Sequence, residues 1–133
     1  MFAESDVWHA LGGFREDFFV YGEDADLCFR ARRSGYPITV VPAARVSHLP
    51  TVGIPSEIVE YHKQKNFFAL YLLHASPLVL PEVFLRYAAF RLLGRRSEGT
   101  PGTLRKALAW NLRNFGTLLR DRGRVRPSTA RTW

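Results

Sequence analysis

The order of apolar and polar residues predicts helices separated by turns rich in glycine and proline. A short helix is expected from Asp6 to Leu11, with Gly12 as a left-handed stop. A stronger helix is expected from Glu23 to Arg33, followed by Gly35 as its stop. Acids fill its first turn and arginines its last, which is the charge order that the helix dipole favours.

Two stretches after the second predicted helix are typical of β-strands. Residues 36–41, with the sequence Tyr-Pro-Ile-Thr-Val-Val, are rich in β-branched side chains and are followed by Pro42. Residues 45–48 predict a second, shorter extended piece. Helices together with these few short strands predict the α/β class, with only a partial sheet.

The second half of the chain returns to a helical pattern. After Pro55, apolar residues recur at helical spacing as far as Leu72, and they predict a long helix that Pro77 ends. A further amphipathic helix is expected over residues 81–93. Residues 97–102 have the composition of a linker.

A last helix is expected from Thr103, whose hydroxyl can cap it. Its apolar residues recur at steps of three or four and form the predicted core face: Leu104, Leu108, Leu112, Phe115 and Leu119. Arginines line a different side of the same helix: Arg105, Arg113 and Arg120. The pattern therefore predicts an amphipathic helix that buries its leucines and exposes its arginines.

Composition indicates a folded chain of limited size. The 133 residues are 47% hydrophobic and 14% aromatic, which is enough for one core and argues against general disorder. The single cysteine, Cys28, excludes an internal disulfide and fits a reducing compartment. The chain starts without the basic residues of a signal peptide, and its longest uncharged stretch is too short to span a bilayer. A cytoplasmic protein is therefore expected.

Charge is divided unevenly along the chain. Residues 1–60 carry five basic and nine acidic residues, a net of −4, whereas residues 61–133 carry fourteen basic and three acidic ones, a net of +11. The basic helices suit the surface of an anionic membrane. Packing on the rest of the molecule with solvated arginines is the alternative, and the pattern leaves both open. Nucleic acid is not expected as a partner, because no recognised binding motif occurs.

The segment richest in chemical groups is the acidic start of the second predicted helix. Asp26 and Arg30 are four residues apart, a spacing that predicts an ion pair which stabilises the helix. Glu23 and Asp24 are then left to accept a proton or to bind a cation. Capping of the helix is the alternative role for both carboxylates.

A fixed order of motifs surrounds these acids: Gly12-Gly-Phe-Arg-Glu-Asp-Phe-Phe-Val-Tyr-Gly-Glu-Asp-Ala-Asp-Leu-Cys-Phe-Arg, then Gly35-Tyr-Pro-Ile, then His48. In this order the chain resembles the back half of a family 2 glycosyltransferase of the rhamnosyltransferase-like branch, over residues 8–66. The resemblance implies the acceptor-side half of a GT-A fold at residues 1–54. Composition and apolar spacing divide the rest of the chain into a helical extension at 55–96, the linker at 97–102, and a basic amphipathic helix with a disordered tail at 103–133, which more loosely resembles the C-terminal extensions of such enzymes.

The resemblance implies an inverting enzyme that moves a hexosyl or rhamnosyl group from a nucleotide-diphosphate sugar to an acceptor hydroxyl. Its acceptor would be a lipid-linked or cell-envelope glycan, which agrees with peripheral attachment at the inner face of the membrane. Asp24 falls on the family's catalytic base, which takes the acceptor proton as the oxygen attacks the anomeric carbon. Glu23 lies beside it and is implied to orient the acceptor or the base.

Two further sites are implied by the same resemblance. Gly12, Gly13 and Phe14 resemble the loop that shapes the acceptor pocket, with Trp8 nearby as a surface on which a sugar can stack. Packing in the core is the alternative role for these aromatic residues. His48 matches a histidine that completes the shell of a divalent ion, Mn²⁺ or Mg²⁺, bound to the donor diphosphate.

The chain also departs from the family's pattern. Arg15 stands where relatives commonly carry Asp, and Lys65 stands where they commonly carry Arg, which would remove a bidentate phosphate contact. The nucleotide-binding units and the Asp-x-Asp motif that holds most of the metal have no counterpart here. The chain alone is therefore expected to be inactive, and a noncatalytic remnant or a basic membrane-surface module is the alternative.

Overall fold

The computed structural model describes residues 3–47, 53–85 and 101–124. The helices that lie wholly in these ranges are α1 (Ser5–Leu11), α2 (Glu23–Arg33), α3 (Ser56–His74), α4 (Pro101–Arg113) and α5 (Phe115–Asp121). A 3₁₀ turn covers Pro77–Val79, and residues 80–85 are again helical. No strand occurs in the described ranges, so this part of the protein is all-helical.

The predicted α/β class, and with it the partial sheet of a GT-A domain, is wrong for the described residues. Residues 36–41 and 45–47 are irregular, and nearly all of them are exposed, with Val40 at 82%. β-branched residues favour a strand where they pack on a half-buried pleated surface, and a strand also needs a neighbour for its backbone hydrogen bonds. No described segment offers that neighbour.

The helices of the first half begin and end close to the predicted residues. Gly12 ends α1 with a φ of 78°, and its N–H donates to the carbonyl of His9 at 3.1 Å. At the end of α2, Ser34 is followed by Gly35 with a φ of 84°. Both glycine stops are confirmed, since each lies in the left-handed region that glycine enters without a steric penalty.

The helix predicted after Pro55 is also confirmed, as α3, which ends before Pro77. The helix predicted over residues 81–93 is described only as far as residue 85. Residues 97–100 of the predicted linker and the tail from residue 125 lie outside the described ranges. The helix predicted from Thr103 is described as α4 and α5, and α4 begins at Pro101, two residues before the predicted start. Thr103 is therefore a buried residue of the first turn and does not precede the helix as a cap.

The core is built on α3. Its buried apolar residues Ala69, Leu72 and Leu73 form one cluster with Phe18, from the loop before α2, and with Leu118 of α5. The loop before α2, helix α3 and helix α5 therefore contribute to the same core. Burial of this cluster is the main apolar contribution that holds α3 to its neighbours.

The face of α4 that packs on α3 differs from the predicted one. Thr103, Ala107 and Asn111 are buried, whereas Leu112 is 74% exposed. Asn111 Nδ2 donates to the carbonyl of Lys65 at 3.0 Å and to that of Ala107 at 2.9 Å, so a polar contact joins the two helices. Small side chains at this contact let the two helices approach closely. Of the predicted stripe within α4, Leu104 is half-buried, and Leu108 and Leu112 are exposed.

No helix within the described ranges combines the length and the apolar character that crossing a bilayer requires. The longest of them, α3, has 19 residues and carries charged side chains in its first half, including Glu57, Glu60 and Lys63.

Candidate functional site

The acidic start of α2 follows a turn with unusual backbone angles. Tyr21 and Gly22 have φ values of 63° and 91°, and positive φ is uncommon for a residue other than glycine. Asn66 of α3 holds this turn, because its Nδ2 donates to the carbonyls of Val20 and Tyr21 at 3.0 and 2.6 Å. The start of α2 is thereby fixed to α3.

Asp24 is exposed in the first turn of α2. Its Oδ1 accepts a hydrogen bond from the N–H of Ala25 at 2.7 Å. The free N–H groups at a helix start are donors that an acidic side chain can accept from. Asp24 is therefore a carboxylate that is bound to the helix end and open to the solvent side.

Glu23 has a different environment although it is the neighbouring residue. It is half-buried, and its Oε2 is buried without a hydrogen-bond partner in the described part of the chain. A buried polar atom without a partner is costly, so this oxygen is one that a ligand donor could satisfy. The two acids thus face opposite surroundings, Asp24 the solvent and Glu23 the protein.

Asp26 is the third acid of the first turn and is only 1% exposed. Nε and Nη2 of Arg30 lie 2.8 and 2.7 Å from its Oδ2, and Nε2 of His74 lies 2.8 Å from its Oδ1. Burial alone would raise the pKa of the Asp26 carboxyl, but the hydrogen bond to His74 and the charge of Arg30 outweigh burial and lower that pKa. Both oxygens of Asp26 are occupied, so this acid is structural.

Arg30 also connects α2 to the loop after α1. Its Nη1 donates to the carbonyl of Leu11, and its Nη2 donates to the carbonyl of Gly13 at 2.7 Å. A Cβ at Gly13 would lie 3.3 Å from the Trp8 ring, and the rings of Trp8 and Phe14 meet edge to face with centroids 4.9 Å apart. The structure therefore brings Trp8, Gly13 and Phe14 together and ties their loop to the helix of Asp24.

The residues of the predicted acceptor loop differ in what they offer to a ligand. Gly12 ends α1, and Gly13 is buried beneath the Trp8 ring. Phe14 is 44% exposed and Trp8 is half-buried. Only these two rings present side-chain surface, and an aromatic face is suited to contact with a sugar ring.

His48, the predicted metal ligand, lies outside the described residues. Within residues 3–47, 53–85 and 101–124, no group of three His, Cys, Asp or Glu residues is placed to hold a metal ion. A divalent ion of the Mg²⁺ type needs several oxygen ligands in a close shell. The described residues therefore do not supply a ligand set for the ion that the resemblance implies.

Lys65 is buried and not placed to contact a phosphate. Its Nζ donates to the carbonyl of Asp17 and lies 4.6 Å from the centroid of the Trp110 ring. The pKa of the Lys65 ammonium is lowered, mainly because the group is buried. The negative charge of Asp17 raises this pKa and the positive charge of Arg15 lowers it, and the effect of burial remains the largest. Arg15 itself pairs with Asp17 at 2.9 Å and with Asp121 at 3.4 Å. These charges join the loop before α2 to α3 and α5.

His74 and Asn66 belong to this site, and sequence reasoning missed both. His74 is 48 positions from Asp26, and Asn66 is 45 positions from Tyr21. Helical spacing rules relate only residues within about one turn, so they cannot pair residues on different helices. The sequence did offer one signal for such contacts. His74 and Asn66 are polar residues among the apolar ones of α3, and a polar group that is buried needs a hydrogen-bond partner.

An open pocket of about 390 Å³ lies at the other end of α2. It is lined by Arg32, Gly35, Tyr36, Pro37 and Ile38. None of these residues belongs to the acidic turn or to the loop of Trp8, so the pocket is separate from the candidate site.

Comparison of the chain with protein-family models, with curated proteins and with solved structures gives no match.

Proposed function

We propose that these residues form the acceptor-side part of an inverting glycosyltransferase in which Asp24 is the general base. The observation that carries the proposal is the different environment of the three acids at the start of α2. Asp26 is buried and paired, Glu23 is half-buried, and Asp24 is the exposed one of the three. The resemblance in motif order supports the same assignment.

The proposed reaction joins an acceptor oxygen to the anomeric carbon of the donor sugar. The acceptor hydroxyl gives its proton to the Asp24 carboxylate while its oxygen attacks that carbon. The bond from the anomeric carbon to the diphosphate oxygen breaks, and the nucleoside diphosphate leaves with the electron pair. Trp8 and Phe14 would support the acceptor sugar, and Glu23 would orient the acceptor hydroxyl.

Donor binding is assigned to residues other than those described. A divalent cation, Mn²⁺ or Mg²⁺, would neutralise charge on the leaving diphosphate when bound. The described residues do not supply its ligands. A nucleotide sugar as donor and a lipid-linked glycan as acceptor would place the reaction at the cytoplasmic face of a membrane.

The substitution Asp24→Asn tests the proposal. It is made in the natural gene product that contains this chain. Transfer from a panel of nucleotide sugars to lipid-linked acceptors should fall by about 10²–10⁴-fold, because the proton acceptor is lost. Nucleotide-sugar affinity, measured by calorimetry, should stay unchanged. Asp6→Asn is the matched control, since Asp6 is also an exposed acid in the first turn of a helix, and it should leave transfer intact.

A noncatalytic role is the second candidate, and the hydrogen bond from the Ala25 N–H to Asp24 favours it. In that role Asp24 only stabilises the start of α2. Asp24→Asn would then lower the stability of the protein slightly and leave transfer at the wild-type rate, which would refute the assignment of Asp24 as base.

A further inference from the structure

The helices α4 and α5 bury one face and leave another face free. Their buried positions, Thr103, Ala107, Asn111 and Leu118, lie against α3 or in its core cluster. Consecutive residues of a helix are rotated by about 100°, so the first three share one side of α4. Leu118 of α5 continues that side, because Asn114 N–H donates to the carbonyl of Trp110 and Leu118 N–H donates to that of Asn114 across the junction. The leucine stripe that the sequence suggested for the core falls on a neighbouring side and is turned outward.

Four large apolar residues lie on this outward side. Leu112 is 74% exposed, Phe115 44%, Leu119 41% and Leu108 36%. Single exposed apolar residues are normal, but four at helical spacing form a continuous strip along both helices. Such a strip is typical of a surface that is covered by a partner.

The exposed charged residues of α4 and α5 are all basic. Arg105, Arg113 and Arg120 are exposed and follow the strip along its flank. Asp121, the acid in the sequence of α4 and α5, is buried and lies 3.4 Å from Arg15. The ammonium of Lys106 lies 3.3 Å from the exposed carboxylate of Glu57, so it contributes less to the field of this face than the arginines do.

We infer that this face, the apolar strip with its flank of arginines, binds the surface of an anionic bilayer. The strip enters the boundary between head groups and acyl chains, and the guanidinium groups bind lipid phosphates bidentately. The helices lie in the plane of the surface and do not cross the bilayer. This inference is independent of whether Asp24 acts as a base.

The chemistry of the face argues against two other occupants. A second copy of the chain would place the same arginines opposite each other across a two-fold axis, and like charges repel. Nucleic acid would be bound by basic residues interleaved with aromatic ones on which bases stack, but the strip contains three leucines and one Phe. Anionic lipid matches both the apolar strip and the positive flank.

The test is co-sedimentation of the whole chain with vesicles of phosphatidylcholine, with and without phosphatidylglycerol. Binding is expected to the anionic vesicles, and high salt should weaken it. Leu112→Glu should reduce the vesicle partition coefficient by about tenfold or more, because it puts a charge where the strip enters the bilayer. Val40→Glu is the matched control, since Val40 is 82% exposed on an irregular segment, and it should retain binding.

The arginine flank has its own pair of variants. Arg113→Gln combined with Arg120→Gln should lower partition to anionic vesicles by about tenfold or more and remove most of its salt dependence. Arg45→Gln, at an exposed position in the first half of the chain, should lower it far less. Helical content by circular dichroism is expected to be unchanged in every variant, because all the substituted side chains are exposed.

Three results would overturn the inference. The first is equal binding to vesicles with and without the anionic lipid. The second is vesicle binding that Leu112→Glu does not weaken, which would place the contact elsewhere on the chain. The third is a dimer in sedimentation equilibrium that Leu112→Glu converts to a monomer, with no vesicle binding, which would make this face an interface between copies.

Discussion

Asp24 and Asp26 are two residues apart, and their environments differ because these helix positions point in different directions. Asp26 points to α3, so that Arg30 of its own helix and His74 of α3 both contact it, and Asp24 points to solvent. The spacing of Asp26 and Arg30 allowed their contact to be predicted from sequence, because it lies within one helix. The contact with His74 depends on how α3 packs, and no local rule predicts it.

Removal of the Asp26 charge should destabilise the fold strongly. Asp26→Asn leaves Arg30 buried without its carboxylate, and such a loss costs about 3–5 kcal/mol. Urea denaturation at neutral pH would measure the change. Asp24→Asn is the control, since an exposed acid at a helix start contributes less than about 1 kcal/mol. Equal effects of the two substitutions would contradict the buried network.

Acid should weaken the same network. The pKa of the Asp26 carboxyl is lower in the folded chain than in the unfolded one, so the ionised group favours folding above the unfolded-state pKa of about 4. That contribution is lost as the pH falls through the lowered folded-state pKa. The difference in unfolding free energy between wild type and Asp26→Asn should therefore shrink below about pH 4. A difference that stays constant down to about pH 2 would disagree with this linkage.

At the scale of the element, α4 shows the limit of counting hydrophobic residues. Counting ranks Leu108 and Leu112 above Ala107 and Asn111 and therefore predicts the wrong buried face. The observed face is the one that packs on α3, where the carbonyl of Lys65 accepts a hydrogen bond from the Asn111 amide and Ala107 is fully buried. The side of α4 that faces α3 is therefore set by how the side chains of the two helices pack together, and hydropathy alone does not predict it.

A pair of substitutions distinguishes the two faces of α4. Ala107→Leu should destabilise the protein by about 1–3 kcal/mol, because Ala107 is fully buried against α3 and extra atoms must displace their neighbours. Leu112→Ala should change stability by less than about 0.5 kcal/mol, as expected for an exposed side chain. Thermal and urea unfolding would measure both. A loss of about 2–5 kcal/mol for Leu112→Ala would instead support the face predicted from the sequence.

At the scale of the whole molecule, three distant parts of the chain share one core. Phe18, the end of α3 and Leu118 of α5 form the cluster. Arg122 adds a polar link, since it donates to the carbonyl of Leu72 at 2.5 Å and also to that of Ala75. The segments divided by sequence composition therefore contact one another directly in the described structure.

Such a core should unfold as one unit. Leu118→Ala is expected to cost about 2–5 kcal/mol and to shift circular dichroism and tryptophan fluorescence transitions together, because it removes the side chain that joins α5 to α3. Leu119→Ala is the neighbouring control, with an exposed side chain, and should have little effect. If only one of the two signals shifted in Leu118→Ala, separate folding units would be indicated.

The helices α1, α2 and α3 follow from local features of the sequence, because glycine stops, prolines, charged helix ends and apolar spacing act within a few residues. The Asp26–Arg30 pair follows from the sequence for the same reason. Packing between distant segments determines which face of α4 is buried, which groups His74 and Asn66 contact, and why residues 36–41 form no strand within the described ranges. Each of these depends on a partner far along the chain, and local free-energy preferences are too small to select that partner.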